Sequence, residues 1–231
     1  MALLEYRNLV KIYSGTPALS GINLDVPEGR IVGLLGPNGS GKTTLIKLTA
    51  GLLTPTAGTV TVGGYTPGVE TKAMISYLPE KTYMSEWMKV GSFIDYFADF
   101  YDDFDKVKAH DMLSALGIDT GRTLQTLSKG TKEKVQLILV MSRRAKLYLL
   151  DEPIAGVDPA ARDYILNTIL KNYSEDAAVM ISTHLIYDVE NVLDDIIFLK
   201  NGCVVMAGGA DDIREQNGKS IDALFREVFR C

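Results

Sequence analysis

Nine residues, GPNGSGKTT from Gly36 to Thr44, put three glycines, a proline and a lysine between two regular elements. IVGLL before them is short, apolar and branched, the pattern of a buried strand; LIKLTAGL after them suits a helix. Gly36, Gly39 and Gly41 allow unusual dihedrals and close approach of the backbone. Pro37, Asn38 and Ser40 complete a turn whose N–H groups add to the positive end of the helix dipole. The ligand for such a turn is an anion, above all a phosphate chain. Lys42 supplies a point charge for terminal phosphates, and the Thr43 hydroxyl, followed by Thr44, suits Mg²⁺. A plain flexible turn is the alternative; the strand before and the helix after are the context that the phosphate reading requires.

Three other places carry chemistry. Asp151 and Glu152 close the apolar run LYLL, at a strand's carboxyl end, where α/β sheets place their ligand crevice. Asp151 there can hold Mg²⁺, and Glu152 can deprotonate a water aimed at a γ-phosphate; a solvated strand-end pair is the alternative. As neighbours on one strand end, their side chains are expected on opposite faces. His184 ends the run ISTHL on the same edge, facing either the γ-phosphate or its own structure. Ser128 and Gly130 in LSKGT open a helix; the serine is a helix cap, a second anion site, or both.

These residues need a scaffold. Residues 3–13 and 20–27 alternate apolar and polar, an antiparallel pair joined around SGTPA. After strand 31–35 and a helix to about Leu52 come a short strand in TPTAGTVTVGG and a strand in AMISYLP. From residue 80 to about 144 only helical spacing is evident, the mark of an inserted helical subdomain. Strand patterns return in AKLYLLDEP, followed by helix 159–173, strand 178–182, helix 185–193, strand 195–200, an edge strand CVVMAGG and a tail helix SIDALFREVF. The expectation is one α/β domain over residues 1–231, with a mostly parallel sheet, an N-terminal antiparallel β-subdomain and the helical insertion.

Composition agrees with a single large domain: 231 residues, 46% hydrophobic and 23% charged. A net charge of −5 without a basic block gives nucleic acid no electrostatic footing. Cys203 and Cys231 have no metal or redox spacing, which suits a reducing cytosol. The start MALLEYRNLVKIY carries charges that a signal peptide lacks, and VQLILVM is too short to span a bilayer. A membrane role would need another chain for the span.

Taken together, the chain resembles the nucleotide-binding subunits of ATP-binding cassette (ABC) transporters over nearly its whole length. GPNGSGKT looks like the family's Walker A, LYLLDE its Walker B, LSKGT its signature motif, AGVD its D-loop and His184 its switch histidine, all in the family's order. Tyr13 stands where the family stacks an aromatic on adenine; by spacing alone it is equally a strand-end tyrosine. The resemblance implies a P-loop NTPase core, ATP and Mg²⁺ as ligands, and a head-to-tail dimer in which Ser128 of one subunit faces the Walker A site of the other. It also implies a separate transmembrane permease, which would hold the subunit at the cytoplasmic face of the membrane. Two departures stand out: Glu80 replaces the family's usual glutamine, and Lys129 and Thr131 alter the signature motif. Both resemble the ABC-2-type exporter branch. In the family the region of Tyr83, Met84, Trp87 and Met88 helps form the permease groove; packing on the chain's own helices is the alternative. The acids at 102, 103 and 105 are expected in a solvated turn. A soluble ATP-driven switch without a transport partner competes with the transporter reading, as does a nucleotide-binding regulator without turnover, against which Glu152 stands.

Overall fold

The computed structural model describes residues 2–229, the side chains of 159–161 excepted; Cys231 lies outside the described residues. β1 (Ala2–Tyr13) and β2 (Thr16–Pro27) form an antiparallel hairpin, and β4 (Ala57–Val62) pairs with the other edge of β1. β2 starts earlier than the expected residue 20. Ser14 and Gly15 both have positive φ (46° and 85°), and such a two-residue turn matches the twist of paired strands, so Tyr13 already faces Thr16.

The main sheet contains β3 (Ile31–Leu35), β5 (Ile75–Leu78), β6 (Leu147–Asp151), β7 (Ala178–Thr183), β8 (Asp195–Lys200) and β9 (Cys203–Gly209). Its order is β5-β6-β7-β3-β8-β9, parallel except for β9. Every residue of β3, β6 and β7 is buried, because both faces of the sheet are covered. The two-residue period divides each strand between two cores. Leu35, Tyr148 and Leu150 join the core on one face; Val32, Leu34, Leu147 and Leu149 join that shared with the hairpin sheet.

α1 (Lys42–Thr49) follows β3. α2 (Val69–Met74) takes up Ala73 and Met74, expected in a strand; buried Thr71 accepts from the Gly68 N–H at 2.9 Å and fixes this short helix. Between β5 and β6 lie α3 (Val90–Phe100), α4 (Lys106–Ala115), a 3-10 turn (Leu124–Thr126) and α5 (Lys129–Met141). α5 straddles two bodies: Val135, Ile138 and Leu139 pack with the helices, whereas Leu137, Val140 and Met141 enter the sheet core. α6 (Pro159–Asn172), α7 (Ile186–Val189), α8 (Ala210–Asn217) and α9 (Ile221–Val228) complete the chain. α7 is a single turn rather than the expected 185–193. α8 gave no sequence signal, since only Ala210 and Ile213 of its polar stretch are buried.

The acids after α3 are not the expected solvated turn. Asp103 receives two bonds from Arg143 (2.9 and 3.2 Å), an arginine only 2% exposed that stacks on Tyr101 and donates to the carbonyls of Ala73 and Ile75. Asp105 caps α4 by accepting from the Lys108 N–H at 3.0 Å, which holds its carboxyl below the usual range. Asp102 alone is exposed.

Candidate functional site

The register of the main sheet assembles the site. β3 lies beside β7, with Leu35 opposite Thr183, and β7 beside β6, with Asp151 opposite Ser182. The phosphate loop, the acid pair and His184 therefore leave the sheet at one edge. The loop can have no side chains at two of its glycines. A Cβ on Gly36 would meet the Leu199 carbonyl at 2.4 Å, and one on Gly41, whose φ is 111°, would meet the Ala18 carbonyl at 2.7 Å. No side chain caps α1 and no acid occupies its first turn, so its N-terminal dipole faces the cleft uncompensated. Pro37 and Asn38 turn the loop; the buried Ser40 hydroxyl has no hydrogen-bond partner.

Two consecutive residues of α1 address two consecutive acids. Lys42 donates to the Gly36 carbonyl at 2.8 Å and forms an ion pair with Glu152 Oε1 at 3.1 Å, the two side chains being 5% and 7% exposed. Thr43 donates to Asp151 Oδ1 at 3.2 Å. Thr44 lines the same cleft. The acids do not point to opposite faces as expected. β6 ends at Asp151, and Glu152 has a φ of +50°, a left-handed turn that swings its carboxylate back to the loop. That turn is over-determined: the Glu152 N–H is held by the Ser182 carbonyl and hydroxyl, both at 3.0 Å. The same hydroxyl donates to Asp151 Oδ1 at 2.6 Å. His184 Nδ1 lies 3.0 Å from Glu152 Oε2, so Glu152 is gripped between a lysine and a histidine.

Burial pushes the Asp151 carboxyl upward, the Ser182 and Thr43 bonds pull it down, and Glu80 and Glu152 add to the rise. Its Oδ2 is buried without a hydrogen-bond partner. An orphaned carboxylate oxygen beside a threonine hydroxyl is a hard-oxygen donor set, and it fits Mg²⁺. Asp151 and Thr43 are the residues that would hold the ion.

The cleft measures about 380 Å³, and Ala18, Asn38, Gly39, Gly41, Glu80 and His184 help line it. Glu80 is exposed at its rim. Other expected residues stand apart from it. Tyr13 is 43% exposed at the tip of β1, with the Lys11 ammonium 5.2 Å from its ring centre. Ser128 is exposed at the start of α5, accepting from the Thr131 N–H at 3.2 Å, and Gly130 has open space beside it. Between α5 and residues 78–82 lies a second cleft of about 500 Å³, shared by Lys129, Gln136, Glu80 and Glu152. Sequence reading missed Ser182. Its signal was slight, a lone hydroxyl in the apolar run AVMIS.

The family model described as ABC transporter matches residues 19–155. The ABC transporter ATP-binding protein YxlF of Bacillus subtilis (strain 168) is 30% identical over 228 residues, spanning 96% of this chain and 76% of that protein. EcsA, an ABC-type transporter ATP-binding protein of the same organism, is also 30% identical, over 100% of this chain and 98% of its own. Among solved structures, an ATP-binding subunit of an ABC transporter superposes with a TM-score of 0.88 at 30% identity, covering 99% of this chain and 100% of that one.

Proposed function

Because the chain belongs to the ABC transporter family and is an ATPase cassette of it, we propose that it binds and hydrolyses ATP to power a membrane transporter, an exporter of ABC-2 type. The observation that carries this reading is the pairing of Lys42 and Thr43 with Glu152 and Asp151 across one cleft. Lys42 and the amides at the start of α1 take the β- and γ-phosphates. Thr43 and Asp151 would hold Mg²⁺, which would supply positive charge to the phosphates as negative charge develops there. Glu152 accepts the proton of the attacking water, and His184 orients that carboxylate and meets the γ-phosphate. Tyr13 stacks on the adenine.

Ser128 and Gly130 lie away from the chain's own phosphate loop, and a second copy placing them against it completes the site. ATP then closes a dimer, here read as a homodimer, and hydrolysis opens it. Among the described residues no helix is long and apolar enough to cross a membrane. On this reading a separate permease supplies the bilayer part and holds the subunit at the cytoplasmic face. Glu152→Gln with saturating ATP and Mg²⁺ is expected to accumulate dimers by light scattering, and adding Ser128→Arg to abolish them. A Glu152→Gln protein that remains monomeric counts against the sandwich.

A further inference from the structure

His184 meets Glu152 through Nδ1 at 3.0 Å, yet its side chain is 37% exposed. Packing does not fix a ring so open; the backbone that carries it must. That backbone runs from the end of β7 into α7, a helix of four residues. One turn does not hold itself, because nucleation costs more than a single turn returns. α7 is therefore held from outside. Ile186 and Val189 are buried in the core, and Glu190, which ends the turn, accepts from the Asp222 N–H of α9 at 3.0 Å. A further tether is Asp188, whose Oδ2 accepts from Arg162 Nη1 at 2.8 Å.

Arg162, in α6, has a second partner. Its Nε donates to the Val157 carbonyl at 3.0 Å. Val157 belongs to AGVD, the segment that follows the acid pair. One planar guanidinium therefore spans from that segment to α7 and sets their separation, which a flexible lysine could not do. The contacts close a ring. The main chain runs from Glu152 to Val157, and Arg162 joins Val157 to Asp188. α7 joins Asp188 to His184, and His184 returns to the Glu152 carboxylate. The Arg162 and Asp188 side chains are 27% and 25% exposed, so their pairing adds little to stability. Its weight is geometric.

We infer that Arg162 is a positioning residue for hydrolysis: by holding the Val157 carbonyl and Asp188 at a fixed separation, it sets the His184 ring against the Glu152 carboxylate. The inference rests on the hydrolytic roles given to Glu152 and His184 above, and adds the residue that aligns them. Arg162 does not line the phosphate cleft. A change there slows the chemical step and leaves ATP binding alone.

The test uses the full chain. Arg162→Gln and Asp188→Asn should each lower kcat about 10–100-fold, the scale of a small misplacement of a catalytic group, with KM for ATP within about twofold of wild type. The double variant should lose no more than either single one, since one contact is broken in all three. Arg162→Lys keeps the charge and loses the second contact, so it should not restore kcat. The chain has two histidines, His110 and His184, so nitrogen–proton NMR of the imidazoles gives a readout without turnover. Arg162→Gln should move the His184 resonances toward those of a free imidazole and leave those of His110 in place. Should Arg162→Gln fail to fold in denaturant melts, Asp188→Asn, which keeps both side-chain shapes, carries the same tests. A folded variant with wild-type kcat or unmoved His184 resonances would overturn the inference. So would full activity of Arg162→Lys, or a raised KM at unchanged kcat. Glu152→Gln separates the two readings: if it keeps wild-type turnover, the role of Glu152 as base falls, and the His184 resonances still decide what Arg162 does.

Discussion

Lys42, the cation placed for phosphate, is neutralised by Glu152. Lys42 and Glu152 pair at 3.1 Å with both side chains nearly inaccessible to solvent. At an effective dielectric near 20 the Coulomb attraction is about 5 kcal/mol, most of it offset by desolvation. Glu152→Gln keeps the shape and removes the charge. Lys42 then retains the Gly36 and Pro37 carbonyls at 2.8 and 3.4 Å, so the loss is partial, about 1–3 kcal/mol. In a chain of 231 residues this lowers the nucleotide-free Tm by roughly 2–10 °C. ATP must separate the pair in the wild-type protein and meets a free lysine in the variant. It should therefore bind the variant about 5–150-fold more tightly, the affinity equivalent of the same 1–3 kcal/mol. ADP, lacking the γ-phosphate that competes with Glu152, should gain less. Scanning fluorimetry and calorimetric titration in EDTA, which keeps turnover out, read both effects. A variant as stable as wild type without nucleotide, with unchanged ATP affinity, would refute the clamp.

Ser182→Ala removes the 2.6 Å bond to Asp151, a charge-assisted bond worth about 1.5–3 kcal/mol; denaturant melts should show that loss, and the Mg²⁺ concentration for half-maximal ATPase should rise while metal-free ATP binding stays as it was. Unchanged Mg²⁺ dependence would reduce Ser182 to packing. Tyr13→Ala should weaken ATP by about 0.5–1.5 kcal/mol with phenylalanine tolerated, as expected of ring stacking; equal affinity of all three in nucleotide titrations would return Tyr13 to the hairpin. Glu80→Gln should keep basal ATPase in the isolated subunit and lose stimulation by the permease, because Glu80 stands exposed at the cleft rim and not against Lys42 or Thr43. A collapse of basal turnover would make it a catalytic group.

What could be read from the sequence followed from how local its signals are. The strand–loop–helix unit at 31–49 was legible because glycines, lysine and flanking apolar runs lie within one stretch. The acid pair was legible by type and not by direction. That both carboxylates face the loop depends on the left-handed turn at Glu152, and the two bonds that fix that turn come from Ser182, thirty residues on. Asp103 shows the same limit. Asp102 and Asp105 stand close by, so the stretch reads as solvated, whereas its partner Arg143 lies forty residues away and is buried on arrival. α8 escaped notice because it buries only two residues. Long-range polar pairing has no period, and periodicity is what a single sequence displays.

The placement of the acids also bears on how one segment can serve two sites. β5 ends at Leu78, registered against Leu150, the residue before Asp151. Two residues further on, Glu80 lines the phosphate cleft, while Pro79 and Lys81 on either side line a separate groove of about 520 Å³ bordered also by Lys47, Lys72 and Tyr96. The sheet hydrogen bonds hold the start of this segment rigidly, and Arg143 ties the base of the same strand to the helical part through Asp103 and the Ala73 and Ile75 carbonyls. The segment that follows β5 thus borders both the phosphate cleft and the groove beside α3 within three residues.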